Sequence, residues 1–361
     1  FIETNKSITY TLYIWMRYVE DPTINLASLL GTSIDGYVSV NGSDTKESTS
    51  CKFDSSKKIS YVVTFFNEDD KTVLESRKVS SGSTLGTLPL NGRYYTKVNA
   101  NGTEYTSIST ITDDVMLYVV VNPNSFSTDS WYTITKAVKL NNTSKYKIGD
   151  TKSVDVGTYG THTLRIANTS TPSECNTTGF SQTACGFVLE FADIITEHNM
   201  NPVGTYKGTT YKYGWNKDGW PASSMYTFVN NDIYNALPSE LKSAIIDTTV
   251  VSSHGSEDTA NFTSTDKLYL LALKEIYTNW SYSYDTTKDL TRTLDYYKNL
   301  GTSTSNYSGA IKKNGTSSYL WRLRSAFSDD NYSFYYVSTN GYWDYYGART
   351  EVGVSPAFRI G

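Results

Sequence analysis

Apolar and polar positions alternate in short runs along most of the chain, and clusters of Gly, Asn, Asp and Ser separate the runs. Residues 8–16 (Ile-Thr-Tyr-Thr-Leu-Tyr-Ile-Trp-Met) are β-branched and aromatic and read as a strand; Gly36–Val40 reads as a second. Two strands make no stable unit, so residues 1–47 are expected to be a partial β-sandwich module, with a Ser/Asp/Lys-rich linker over 43–58. The pattern sharpens at Ser60. Strands are expected at Ser60–Phe66, Thr72–Val79 and Val115–Val121, with a turn at Asn67–Asp70 and a polar bridge from Gly82 onward. These define a unit over 58–122, and Asn122–Ser130 is a second linker.

The remainder, 129–361, mixes two periods. Trp131, Ile134 and Val138 recur at helical spacing behind Ser130, a good N-cap. Met225, Phe228, Val229 and Ile233 share one face of a helix over 221–234, and Pro238 opens another, running to Ile246. Strands are expected at 153–156, 161–168, 186–191, 268–271, 320–325, 334–338 and 354–360. The fold class is therefore multidomain: β-rich N-terminal modules followed by an α+β domain with helices beside a mostly antiparallel sheet.

Composition narrows the function. A net charge of −4 and a pI near 5.5 provide no basic stripe for nucleic acid. No run of eighteen apolar residues occurs, so no membrane span is expected. The chain opens at Phe1 without a methionine or a signal pattern, so a fragment or processed product is expected, with any anchor outside it. Cys175 and Cys185 flank a polar, Gly-containing loop. A disulfide there would contribute ~2–3 kcal/mol in an oxidising location; the alternative is two reduced, half-buried thiols. Cys51 stands alone. The three Cys and three His (His162, His198, His254) show no metal-ligand spacing, so neither metal nor cofactor is expected.

The segment from Ser317 to the end carries the candidate chemistry. Core-like stretches at 320–326 and 353–360 enclose a run dense in Tyr, Asp, Ser and Asn. Rigid amphipathic rings among small polar residues are the composition of an antibody paratope. The candidate ligand-binding residues are Phe327, Ser328, Asp329, Asp330, Asn331, Tyr332, Ser333, Tyr336, Ser338, Asn340, Tyr342, Asp344, Tyr345, Tyr346, Arg349 and Thr350. Strand alternation allots about half of the rings to a core: Phe334, Tyr335, Val337 and Trp343 inward, and Tyr332, Tyr336, Tyr342, Tyr345 and Tyr346 outward. Arg322, Arg324 and Arg359 are expected to pair with carboxylates inside the fold, with an anion clamp as the alternative.

Two resemblances add to this. The order VTFFNEDDKTVLESRKVSSGSTLGTLP … TSISTITDDVMLYVVV resembles the Listeria–Bacteroides (internalin B-repeat) module of bacterial surface proteins, which implies a β-grasp-like stalk. It departs at Tyr94–Val98, where that family has a Gly-Tyr-x-Phe-x-Gly-Trp stretch. The motifs TPSECNTTGFSQTACGFVLEFADIITEHNMN, TDKLYLLALKEIY, LDYYKNLG, LWRLRSAF and GVSPAFRIG resemble the DUF6273 type of domain of gut Firmicutes and their phages. The end of the chain is also similar to the variable proteins of diversity-generating retroelements, which implies a C-type-lectin-like fold with a variable region at 327–352. In that class, adenines of a template are randomised, so Asn codons become Tyr, Asp, Ser, Gly or Arg while adenine-free codons stay fixed. Trp321, Leu323, Gly341, Trp343, Gly353, Val354 and Phe358 can all be encoded without adenine. Most residues between them are reachable from an Asn codon; Glu351 is not.

The expected function is a surface-displayed ligand-binding protein, extracellular, whose partner is a protein or glycan on another cell or phage. The alternative is a structural adhesin or pilus-like subunit. Glu190, Asp193, Glu197 and His198 form the one local cluster with acid–base potential, without a nucleophile or phosphate motif beside it. No enzyme activity is expected. A formylglycine-generating type of enzyme would need a reactive cysteine pair, and only Cys175 and Cys185 are available. Trp343-Asp344 is similar to the Trp-Asn-Asp element of calcium-dependent lectins, but its partner tripeptide is absent.

Overall fold

The structure is a computed structural model; it describes residues 60–361 and, before them, a pair of two-residue antiparallel strands, Val38–Ser39 and Lys52–Phe53. The rest of the module expected over 1–47, including the strand at 8–16, lies outside the described residues, as does Cys51.

Residues 60–121 form a five-stranded sheet in the order Val73–Ser80, Ser60–Phe66, Val115–Val121, Gly92–Lys97, Asn101–Tyr105. Ser60–Phe66 and Val115–Val121 run parallel at the centre, and their inward residues Val63, Phe65, Leu117 and Val119 are buried. The bridge expected from Gly82 onward contains two strands that hydropathy did not signal, Gly92–Lys97 and Asn101–Tyr105. The second exposes most of its side chains and carries no apolar alternation to read.

This sheet is tied to the next unit through its first helix, Trp131–Lys139, which the Ser130 hydroxyl caps at the Thr133 N–H. Lys136 reaches back to Asp70 (2.7 Å) and to the Val119 carbonyl (2.9 Å). The Glu68 carboxylate accepts from the Ser130 and Thr133 hydroxyls.

Residues 126–360 share one continuous apolar core beneath two further five-stranded sheets. The first is antiparallel, in the order Ile245–Ile246, Ala357–Ile360, Val188–Phe191, Thr161–Asn168, Thr151–Asp155. The second runs Thr196–His198, Val352–Val354, Trp321–Ala326, Ser333–Val337, Trp343–Gly347, with Trp343–Gly347 at its edge. The stretch expected as one strand over 354–360 divides at Ser355-Pro356, and its halves serve different sheets. Leu268–Leu271 is fully buried but is not a strand; it touches the first sheet through a single Tyr269–Ala357 bridge. A short apolar run signals burial, and burial alone does not choose a backbone.

The helix expected over 221–234 forms from Ser224 to Ala236, widened to a π turn at Phe228–Ile233, and buries Met225, Val229 and Ile233. Cys175 and Cys185 are joined by a disulfide. Among the described residues no helix is long and apolar enough to cross a membrane.

Candidate functional site

The edge of the second sheet is where the candidate residues gather. Trp321–Ala326 is buried along its whole length, so it sets a rigid floor for the two strands that follow. Ser333–Val337 pairs with Trp343–Gly347 in the register Tyr335↔Tyr345 and Tyr336↔Asp344. Alternation then divides the hairpin into two faces. On one, Trp343 and Tyr345 pack with Tyr335, Phe327 and Trp280. On the other, the Tyr336 hydroxyl meets the Asp344 carboxylate at 3.4 Å, and Tyr346 is 56 % exposed. An edge strand leaves both of its faces partly open to solvent.

The candidates separate by exposure. Asp329, Asn340, Tyr342, Asp344, Tyr345, Tyr346 and Arg349 are exposed. Ser328, Asp330, Asn331, Tyr332, Tyr336, Ser338 and Thr350 are half-buried. Phe327 and Ser333 are buried: Phe327 stacks under Tyr345 at 3.9 Å, tilts against Tyr284 and meets Tyr335 edgewise, while Ser333 sits in the ladder opposite Gly347. Two of the candidates, Asp330 and Asn340, also shape turns. Asp330 Oδ1 accepts from the N–H groups of Tyr332 (2.9 Å) and Ser333 (2.6 Å), and Asn340 Oδ1 accepts from the Ser338 hydroxyl and the Tyr342 N–H. Of the four residues placed in the core, Phe334, Tyr335 and Val337 are fully buried and Trp343 is half-buried.

The backbone beneath these side chains is held by buried residues that contact main chain. Arg322 donates to the carbonyls of Phe334 (3.1 Å), Tyr346 (3.3 Å), Gly347 (3.5 Å) and Thr350 (3.0 Å). Arg324 pairs with a carboxylate as expected, a bidentate buried contact with Glu275 at 2.6 Å. Arg322 does not: no carboxylate pairs with it among the described residues, and burial pulls its guanidinium down to about 10. Asn216, fully buried, shares its two amide protons among the carbonyls of Phe327, Asp330 and Ser333 at 3.0–3.1 Å, and its own N–H reaches the Asn331 carbonyl. The Tyr277 hydroxyl donates to the Gly341 carbonyl at 2.6 Å. Gly341 has φ +90°, and a Cβ there would lie 2.1 Å from the Tyr307 carbonyl, so the turn requires glycine.

Two segments distant in sequence complete the surface. The hairpin of Gly204–Tyr206 and Thr209–Tyr211 leads to Tyr213, which packs on Tyr332 at 5.2 Å and beneath the Arg349 guanidinium at 4.9 Å. The Arg349 N–H donates to the Tyr213 carbonyl. Glu257 accepts from Asn331 (2.6 Å) and Tyr211 (2.7 Å), and those hydrogen bonds hold its carboxyl below the ordinary value. On the opposite side, the 279–285 loop supplies Trp280, Tyr282 and Tyr284. The interleaving in Asn279-Trp-Ser-Tyr-Ser-Tyr284 matches that of the chain's end and was a readable signal. From outside 327–352, Lys212 adds a positive charge and Glu257 a negative one, so the surface keeps the acidic balance of Asp329, Asp330, Asp344 and Glu351 against Arg349.

The acid–base candidates differ in burial. Glu190 is fully buried; burial would raise its carboxyl, but Arg165 and Lys312, each 2.7 Å away, hold it down at about 2. Asp193 faces His162, and His198 stacks on Phe228 at 4.2 Å, so the four acid–base candidates do not converge. Among the described residues no group of three or more metal-ligating side chains gathers.

Comparison with family models places the surface in a known sequence family. Residues 193–361 match the model described as Domain of unknown function (DUF6273). Residues 193–361 are a DUF6273 domain. The match covers just under half of the chain and includes the whole candidate surface: Tyr213, Asn216, the 279–285 loop and 327–350. It begins after Val188–Phe191, so the first sheet joins strands from inside and outside the DUF6273 domain. No match was found among the curated proteins, and none among the solved structures.

Proposed function

We propose that the chain is a displayed binding protein whose sheet edge at Trp343–Gly347, with its flanking loops, recognises a protein or glycan partner. The observation that carries this reading is the segregation of exposed rings. Among the described residues the exposed aromatics are Tyr213, Tyr284, Tyr342, Tyr345 and Tyr346. All five border this one surface, through contacts to Tyr332, Phe327 and Trp343 or by lying on the edge strand itself. So many rings in one place are an aggregation liability unless a partner covers them. Tyrosine gives contact area with few rotors to freeze, and Asp, Asn and Arg around it set specificity.

The way the surface is supported favours variability. Arg322, Asn216 and Tyr277 grip carbonyl oxygens, which every residue type supplies, so side chains above them can change without loss of the grip. This fits a C-type-lectin-like scaffold with a region at 327–352 rewritten by a retroelement, and a stalk role for 60–121. The Cys175–Cys185 disulfide fits an oxidising, extracellular location.

Sequencing the codons for 317–361 across many isolates, with their genomic surroundings, tests the proposal. Substitutions confined to exposed positions such as Asp329, Tyr342, Asp344, Tyr346 and Arg349 are expected, beside a reverse transcriptase gene and a near-copy differing at adenines. Even drift over exposed and buried positions alike would favour the structural-subunit alternative.

A further inference from the structure

We propose that a fixed subsite for a neutral saccharide adjoins the variable face; this rests on the binding reading above and names a ligand class for one part of it. A groove of about 620 Å³ lies between the 279–283 loop, Thr304 and the start of the edge strand. That volume is within the ~300–1,000 Å³ of small-molecule sites. Of the residues lining it, only Tyr342 and Trp343 fall inside 327–352. Tryptophan has a single codon, free of adenine, so Trp343 is among the positions that the retroelement reading expects to stay fixed. Apart from Tyr342, the groove therefore keeps its chemistry while the neighbouring surface changes.

That chemistry is uncharged. No carboxylate, ammonium or guanidinium lines the groove, so a charged ligand finds no counter-charge there. The half-buried rings of Tyr282 and Trp343, 5.1 Å apart, give flat apolar faces of the kind the C–H faces of a pyranose cover. Exposed Asn279, Ser281 and Ser283 provide amide and hydroxyl groups that both donate and accept, which matches sugar hydroxyls.

The groove is also preorganised, which lowers the cost of binding. Asn279 Nδ2 donates to the Thr304 hydroxyl and its Oδ1 accepts from the Thr304 N–H, both at 2.9 Å. Buried Asp285 fixes the loop by accepting from Trp280 Nε1 at 3.0 Å and from the Thr287 N–H and hydroxyl. Trp280 in turn wedges edgewise against Trp343 at 4.7 Å. A partner that presents a glycan, free or on a glycoprotein, would be held in the constant groove and discriminated by the variable face.

The test titrates the full chain with maltose, cellobiose, lactose and chitobiose, read by tryptophan fluorescence and saturation-transfer NMR, with choline chloride as the cationic control. At least one disaccharide is expected to bind with a dissociation constant of about 1 mM, unchanged by EDTA. Binding should weaken at least ten-fold in Tyr282→Ala and in Ser283→Trp, the latter filling the groove from an exposed position, and should be unchanged in Ile108→Ala, an exposed position on the 60–121 unit. Absence of saturation transfer from the folded protein to any of the four sugars overturns the proposal. So does binding of choline in their place, or sugar binding that survives both groove variants. Failure here leaves the face itself standing, because that reading is judged by variation at Asp329, Asp344 and Tyr346, which do not line the groove.

Discussion

Replacing Asn216 with alanine isolates the frame from the face. The Asn216 amide carries two protons and distributes them among three carbonyls, those of Phe327 and Ser333 and that of Asp330 between them. Deleting it removes about two hydrogen bonds, each worth ~1 kcal/mol net, and leaves buried carbonyls short of a donor at a further ~1 kcal/mol or more. The substitution retains the Asn216 N–H contact to the Asn331 carbonyl, so the loss is confined to the side chain. A destabilisation of ~2–4 kcal/mol is expected, which for a unit of this size lowers the melting temperature on the order of 10 °C. Chemical denaturation followed by tryptophan fluorescence measures it, and hydrogen exchange should show the 327–333 amides opening first. A loss below ~0.5 kcal/mol, the range of ordinary surface substitutions, would refute the clamp and with it the idea that main-chain contacts hold this loop.

Four other variants address separate parts of the fold. Burial pushes the Asp266 carboxyl up to about 6, opposed by the Trp220 N–H at 2.8 Å. The folded state then holds a proton that the unfolded chain, with a value of ~3.9, has released, so stability falls as pH rises from about 4 to 6. Asp266→Asn should therefore stabilise at pH 7 by up to ~3 kcal/mol and change little at pH 4; equal shifts at both pH values would contradict the sign. Cys175→Ser with Cys185→Ser should cost ~2–3 kcal/mol from the reopened loop, read as a shift of the denaturation midpoint that reducing agent reproduces in the unmodified chain. Tyr346→Ala should stay within ~0.5 kcal/mol of the parent, whereas Tyr335→Ala should lose ~3–5 kcal/mol; similar losses would place both rings in the core.

Much of this architecture is legible in the chain, for reasons that vary by segment. Ser60–Phe66 and Val115–Val121 are dense in β-branched and aromatic residues and were found with their observed limits. Ser130 announced its helix because an N-cap is a local interaction. The polar hairpin Gly92–Tyr105 was not visible, since its pairing is decided by neighbouring strands and a turn with Asn99 and Ala100 at φ +57°. Phe334, Tyr335 and Val337 are buried as expected, Phe334 on the face opposite the other two, but the pattern had no means of showing that Phe327 lies beneath Tyr345. Arg322 was expected to meet a carboxylate, the commonest partner for a buried guanidinium; four carbonyls brought together by the sheet edge replace it. Tyr213 joins the surface through its contact with Tyr332, distant in sequence, which no local pattern encodes, whereas the interleaved run that ends at Tyr284 resembles the chain's end.

Folding and recognition are assigned to different residues, and a pair of displayed libraries measures that separation. One library randomises Asp329, Tyr342, Asp344, Tyr346 and Arg349; the other randomises Asn216, Tyr277, Arg322 and Phe334. Both are sorted for protease resistance, and the survivors are selected for binding to unrelated protein and glycan targets. Most members of the first are expected to resist protease and to include binders, while the second should be almost wholly cleaved. Equal fragility of the two libraries, or no binder among the folded members of the first, would contradict the assignment.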